Sequence, residues 1–164
     1  MAKVIRKPGP GAAVLDLAIK QLGGTVGKVG WFASAKYPDG TPVAYVAAIQ
    51  EYGYPAGGIP PRIGMRATAK EKRGEWARLA ASGAKAVVAG NATPADVMEA
   101  IGLKAAGDMR KHITEVDSPP LKAATIAARK RGYADKKTTG NLTKPLVATG
   151  HMLTTLTNTV EKAK

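Results

Sequence analysis

Glycine and proline cut this chain into short pieces, and that punctuation constrains its fold more than any other feature. Gly23-Gly24, Pro38-Asp39-Gly40, the run from Gly53 to Pro61, Gly90-Asn91 and Ser118-Pro119-Pro120 each interrupt the apolar patterning. Glycine loses the most backbone freedom inside a regular element, and proline lacks the N–H that a helix or a strand ladder needs. With 19 Gly and 11 Pro, largely in connecting segments, the chain has to be assembled from several short elements joined by long loops. At 164 residues it is long enough to bury a real core as one domain, or as one domain with arms. Aromatic residues make up only 5%, with a single Phe, so that core must rest on Ala, Val, Ile, Leu and Met.

Between the breaks, periodicity assigns the elements. Val14, Leu15, Ala18, Ile19 and Leu22 share one face of a helix that Gly23-Gly24 ends. Thr25 to Ala33 carries strand propensity, and Pro38-Asp39-Gly40 forms a turn, with Pro presetting φ and Gly supplying a positive φ. Val43 to Tyr52 is open between a short helix and the start of a strand. Met65 to about Ala89 is helical and highly charged, with Trp76, Leu79 and Ala80 on its apolar face and Gly83 as a break or a close packing point. Thr93 as cap, Pro94 at the first helical position and Asp96 in the first turn start another helix, along which Val97, Ile101, Ala105, Met109 and Ile113 step by four. A short basic helix over Lys122 to Arg131, a last helix capped by Thr149 and a strand over Thr157 to Val160 complete the series. The expected fold is α+β: a small, mainly antiparallel sheet packed against several helices, with long loops. Residues 1–10 are expected to form a flexible basic arm and 11–164 a single domain, with a mobile loop at about 132–144 that is rich in Gly, Lys and Thr.

Several function classes find no footing. There is no cysteine, which excludes disulfides and thiolate metal sites and is compatible with a reducing place of synthesis. The basic N-terminus lacks the apolar stretch of a secretory signal, and no apolar run approaches the ~20 residues of a membrane span. His112 and His151 lack metal-site spacing: Glu115 lies three after His112, and a pair is not a site. Glu51 is a single carboxylate in an apolar stretch, a pattern that more often marks a cap or an ion-pair partner than a general acid. No G-x-S-x-G elbow occurs, and Gly53 to Gly58 lacks the Lys-Ser/Thr of a phosphate-binding loop. No enzyme, metal or cofactor is expected.

Charge is the stronger signal. The net charge is +13, from 25 Lys and Arg against 12 Asp and Glu, which implies attraction to a polyanion or close packing beside one, or simply a solvated basic surface. Arg129-Lys130-Arg131, Lys136-Lys137 and Lys144 form one basic neighbourhood, and Lys3, Arg6 and Lys7 form another. Only Tyr133 is interleaved with them, so single-strand recognition by base stacking is poorly supported.

A series of short segments carries a family likeness. Lys28-Val29-Gly30-Trp31 follows the first helix. Val46-Ala47-Ala48-Ile49-Gln50-Glu51-Tyr52-Gly53 is similar to an A-x-I-H-E-F-G segment, with Gln50 in place of the His. Ile59-Pro60-Pro61-Arg62 resembles an I-P-x-R-P-F loop, with Ile63-Gly64 replacing its Pro-Phe. Pro119-Pro120-Leu121 through Ile126, and Lys144-Pro145-Leu146 through Leu153, close the series. Together they resemble the tail-completion proteins of tailed bacteriophages, the neck proteins also called head–tail joining, tail-terminator or virion morphogenesis proteins. The resemblance spans roughly residues 14 to 160. It implies an α+β subunit of a homo-oligomeric ring, typically six-fold, in the virion neck. Such a ring caps the tail tube, joins it to the head connector, and lets DNA pass through its bore.

On that resemblance, Ile59, Pro60, Pro61, Arg62, Pro120, Leu121, Lys144, Pro145 and Leu146 are expected at subunit or partner interfaces. Pro60-Pro61 presets an extended backbone, Ile59 offers an apolar anchor, and Arg62 offers a fork for a neighbour's carboxylate. Arg129, Lys130, Arg131, Lys136 and Lys137 are expected to face DNA without reading its sequence, or else acidic neighbours in the connector or tail tube. The alternative function is a basic, sequence-independent nucleic-acid-binding protein of the cytoplasm.

Overall fold

The computed structural model describes residues 10–62, 64–132 and 141–163. The expected basic arm other than Pro10, Ile63, and residues 133–140 of the expected mobile loop, with Lys136 and Lys137, lie outside the described residues. The elements run α1 (Pro10–Gly23), β1 (Thr25–Gly30), α2 (Val43–Tyr52), a 3₁₀ turn (Pro55–Gly57), α3 (Met65–Val88), α4 (Pro94–Glu115), α5 (Ala123–Gly132), α6 (His151–Thr155) and β2 (Thr157–Lys162). This is an α+β fold with a two-stranded antiparallel sheet, β1 on β2, in register from Thr25 opposite Lys162 to Gly30 opposite Thr157.

A hairpin of two long helices organises the rest. Gly83 of α3 meets Val97 of α4, Glu75 and Trp76 meet Lys104 and Asp108, and this descending order makes the helices antiparallel. Gly83 is a close packing point and not a break: a Cβ there would sit 2.4 Å from Val97 Cγ1. α4 begins with a complete capping box, in which the Thr93 side chain accepts from the Asp96 N–H and the Asp96 side chain accepts from the Thr93 N–H. It then lies across the sheet, burying Val97, Ala105, Ala106, Met109 and Ile113.

Three apolar clusters make the core. Met109, Ile113, Val147 and Leu156 form the largest, walled by Val29, Trp31, Met65, Trp76, Leu146 and Leu153. Val43, Ala47 and Met152 form a second, and Trp31 joins the two while donating its Nε1–H to the Met152 carbonyl at 2.8 Å. Ala18, Val87 and Val97 form the third under α1. Each fully buried large side chain, such as Ile113 or Leu156, contributes about 1.5–3 kcal/mol by leaving water.

Several sequence expectations are refined. The strand from Thr25 stops at Gly30, short of Ala33. The ambiguous segment is helix: Val43, Ala47 and Glu51 are buried while Tyr45 is exposed, whereas a strand would turn Val43, Tyr45 and Ala47 to one face. The last helix has Gly150 at its N-cap, at φ 72°, while the Thr149 hydroxyl accepts from the His151 N–H at 3.3 Å. The apolar face expected to bury α1 does so only in part. Ala18 is buried and Leu22 half-buried, but Val14, Leu15 and Ile19 are exposed, as is Leu17 beside them.

Candidate functional site

The segments 46–53 and 59–66 fold against each other through two adjacent polar residues of α2. Glu51 is buried beneath the N-terminus of α3, where the first backbone N–H groups have no partner inside the helix. Its Oε2 accepts from the Gly64 and Met65 N–H groups at 2.7 and 3.0 Å, and its Oε1 from the Arg66 N–H and the Arg66 Nε–H, both at 3.0 Å. Burial pushes the Glu51 carboxyl up, but these backbone donors and the Arg66 guanidinium outweigh it and hold the group below its ordinary value. Glu51 is thus a cap supplied from another helix, which leaves no proton to exchange near neutrality. The Arg66 guanidinium also lies 4.5 Å from the centre of the Tyr52 ring.

Gln50 serves the other half of the loop. Its carbonyl accepts from the Arg62 N–H, and its side-chain Oε1 from Arg62 Nη1 at 3.2 Å. Arg62 does not reach outward to a neighbour's carboxylate as expected. It is 6% exposed, and it donates from Nε to the Pro119 carbonyl at 2.8 Å and from Nη2 to the Pro120 carbonyl at 3.3 Å. The fork therefore ties the 59–62 loop to the Ser118-Pro119-Pro120 turn within one chain. Gly53, at φ 80°, permits the close approach, since a Cβ there would lie 2.9 Å from the Pro61 nitrogen.

The remaining interface candidates divide by burial. Pro61 and Pro120 are exposed, and Ile59, Pro60 and Leu121 are half-buried; Ile59 exchanges both backbone hydrogen bonds with Tyr54. Pro145 is buried and Leu146 packs on the main core cluster, so both serve the fold. Lys144 donates from Nζ to the Thr114 carbonyl at 3.0 Å, and its own carbonyl accepts from Arg129 Nη1 at 2.8 Å. Lys130 and Arg131 are exposed in the last turn of α5.

The two proline loops enclose a cleft of about 300 Å³ between the 57–62 segment and α5. Ile59, Pro60 and Leu121 give it apolar walls, and Arg62, Lys122 and Arg129 bring positive charge. Lys122 and Thr125 lie in the Pro119-to-Ile126 segment of the resemblance but were not among the expected interface residues. The available signal was their spacing with Arg129, at i, i+3 and i+7, which places all three on one helical face.

The histidines stand apart from this region. His151 Nε2 is 2.9 Å from the Lys36 carbonyl and its ring lies 4.9 Å from that of Tyr37, while His112 lines a charged groove between α3 and α4. In that groove Lys104 bridges Glu75 and Asp108, and Asp108 accepts from Trp76 Nε1 at 2.8 Å. Among the described residues no group of His, Asp and Glu is arranged to hold a metal ion, and no helix is long and apolar enough to cross a membrane. Comparison with protein-family models, with curated proteins and with solved structures found no match to this chain.

Proposed function

We propose that this chain is a structural virion protein of the neck of a tailed bacteriophage. It is a tail-completion or tail-terminator subunit with no enzymatic step. Copies form a ring, six-fold in the family it resembles, that caps the tail tube and joins it to the head connector around the path of the DNA. The observation that carries the reading is the convergence of the segments behind the resemblance. Gln50 and Glu51 hold the 59–66 segment, Arg62 holds Pro119-Pro120, Arg129 and Thr114 hold Lys144, and Trp31 holds Met152. The hydrogen bonds join three of these segments, at Gln50 and Glu51, at Arg62 and at Pro119-Pro120, in one set, and join Trp31 to Met152 in another; likenesses scattered by chance have no reason to meet in this way.

Surface chemistry supports the same reading. Val14, Leu15, Leu17 and Ile19 on α1, and Tyr45, Tyr52 and Tyr54 on and after α2, are all exposed on the single chain. Apolar surface of that extent is what a subunit of an assembly presents before assembling. Negative-stain imaging and mass photometry of the purified protein, alone and mixed with tail tubes, test the proposal. Rings, or subunits seated on tube ends, are expected. A monomer at every concentration that leaves tube ends bare would overturn it. The exposed Lys130 and Arg131 favour a second reading, a sequence-independent nucleic-acid binder. A monomer that binds duplex DNA tightly, with affinity falling steeply in salt, is the outcome that would select it.

A further inference from the structure

The short helix α2 is turned the wrong way for a surface helix. Its two most polar side chains, Gln50 and Glu51, hold the 59–66 segment, while Ala44, Tyr45, Ala48 and Tyr52 are exposed. A surface helix ordinarily presents the reverse. Beside this face runs an open groove of about 450 Å³, lined among others by Trp31, Ala44, Ala48, Tyr52, Met65 and Arg66. The polar groups at its floor are already engaged. The Trp31 indole N–H donates to the Met152 carbonyl, and each Glu51 oxygen takes two donors. Arg66 then begins a line of cations. Arg66, Lys70 and Arg73 are exposed at i, i+4 and i+7 on one flank of α3, and they span about 10 Å along its axis. The acids nearest in sequence are taken elsewhere, Glu71 by Lys72 and Glu75 by Lys104. Among the described residues, neither Lys70 nor Arg73 has a hydrogen bond or an ion pair.

We propose that this groove and the cations beside it dock an acidic amphipathic helix of a protein partner. Such a helix sets aliphatic side chains against Ala44 and Ala48 and lays its carboxylates along Arg66, Lys70 and Arg73. Charge complementarity selects the occupant, because the free charges on this flank of α3 are all positive. A second copy of this chain is a poor source of the acid. Each copy carries +13, and the exposed apolar helix α1 offers only Asp16, offset by Lys20 four residues on. A nucleic-acid strand fits worse. Alanine methyl groups give no platform for a base, the engaged floor leaves nothing for a base edge or a ribose hydroxyl, and the Glu51 carboxylate repels phosphates passing along the groove. A lipid surface is flat and cannot enter a concave site. The inference rests on this surface alone and does not depend on the neck reading.

The test is fluorescence anisotropy of a dye-labelled peptide titrated with the full-length protein in about 0.15 M salt. The probe is a helical peptide of roughly 15 residues built from Ala, Leu and Glu, with leucines at i, i+4 and i+7 and glutamates on the flank beside them. Half-saturation is expected at roughly 10–300 μM, the range open to one small helix. Changing every Glu of the peptide to Lys should abolish binding. Lys70→Glu combined with Arg73→Glu should weaken it at least tenfold, and so should Ala48→Gln, which puts a longer side chain into the groove. These residues are exposed, so circular dichroism of both variants should match the wild type, as should sedimentation of the protein alone. Absence of binding at roughly 1 mM protein, or binding that survives either variant, would overturn the proposal. So would displacement of the peptide by oligothymidine or by phosphatidylglycerol vesicles. An Ala48→Gln variant that loses an oligomer formed by the wild type would place a second copy in the groove instead.

Discussion

Replacing Glu51 by Gln isolates the cap that one helix lends to another. Each carboxylate oxygen takes two donors, Gly64 and Met65 on one, the Arg66 backbone and guanidinium on the other. Glutamine keeps one oxygen and turns the other into an NH₂ group. Whichever way the amide is turned, two donors then face a donor. A buried N–H left without an acceptor costs about 1–3 kcal/mol, and removing the negative charge from the helix N-terminus costs roughly 0.3–1 kcal/mol more. The Arg66 side chain is half exposed and adds little. A total near ~3 kcal/mol lowers the thermal midpoint by roughly 6–12 °C for a chain of this size. The effect depends on pH in a definite direction. The folded carboxyl sits below its ordinary value, so its contribution is complete above about pH 4.5, where the unfolded group is ionised, and is lost as the pH falls through the folded value. Urea unfolding followed by circular dichroism at 222 nm should therefore show a constant gap between wild type and E51Q from pH 8 to 6, narrowing in acid. A gap under ~0.5 kcal/mol at pH 7, or one that widens on acidification, would refute the reasoning.

Other substitutions probe the remaining joints. Gly83→Ala adds a methyl group 2.4 Å from Val97 Cγ1 and should destabilise by about 1–3 kcal/mol in spite of alanine's better helix propensity; a more stable variant would mean that α3 and α4 can separate freely. Thr93→Ala removes the capping box and should cost about 1 kcal/mol in urea unfolding, with Thr93→Ser close to wild type. Arg62→Lys keeps the charge but loses the fork onto Gln50, Pro119 and Pro120; a loss of about 2 kcal/mol is expected, with faster hydrogen exchange over 118–126, and unchanged exchange there would count against the tie.

What the sequence disclosed was local. The start of α4 was readable because Thr93, Pro94 and Asp96 act on neighbours three residues away, and its buried face because Val97 to Ile113 steps by four. Segment 43–52 was ambiguous because its alanines favour a short helix while Val43, Tyr45 and Val46 could equally begin a strand. Only the burial of Val43, Ala47 and Glu51 with Tyr45 left exposed separates them, and burial is tertiary. Glu51 looked isolated for the same reason, since its four donors lie at Gly64, Met65 and Arg66. Arg62 was expected to offer its fork to a neighbouring subunit's carboxylate; the carbonyls that hold it belong to Pro119 and Pro120, far along the chain. For α1 the arc of apolar residues was visible, but not that the hairpin of α3 and α4 meets it with Val87, Val97 and Ile101 on the side of Ala18 and Leu22 alone among the described residues. Of the cleft, sequence named the proline loops and Arg129 but not the face of α5 that brings Lys122 beside them.

The sheet also dictates an order of events. β1 and β2 are the first and last strands described, and the Ala163 N–H closes the seam on the Gly24 carbonyl at 2.9 Å. Neither strand has a partner nearby in sequence, so the microsecond route of a tight hairpin is closed to both. The α3–α4 hairpin, linked by a few residues, incurs little loop-closure entropy, while strand pairing must wait until most of the chain has been gathered in. During that wait β1 presents Val26 and Val29 on an unpaired edge, the kind of surface that captures strands from other molecules. Refolding yield should therefore fall with protein concentration. In pulse-labelling, amides of α3 and α4 should gain protection before those of Thr25 to Gly30.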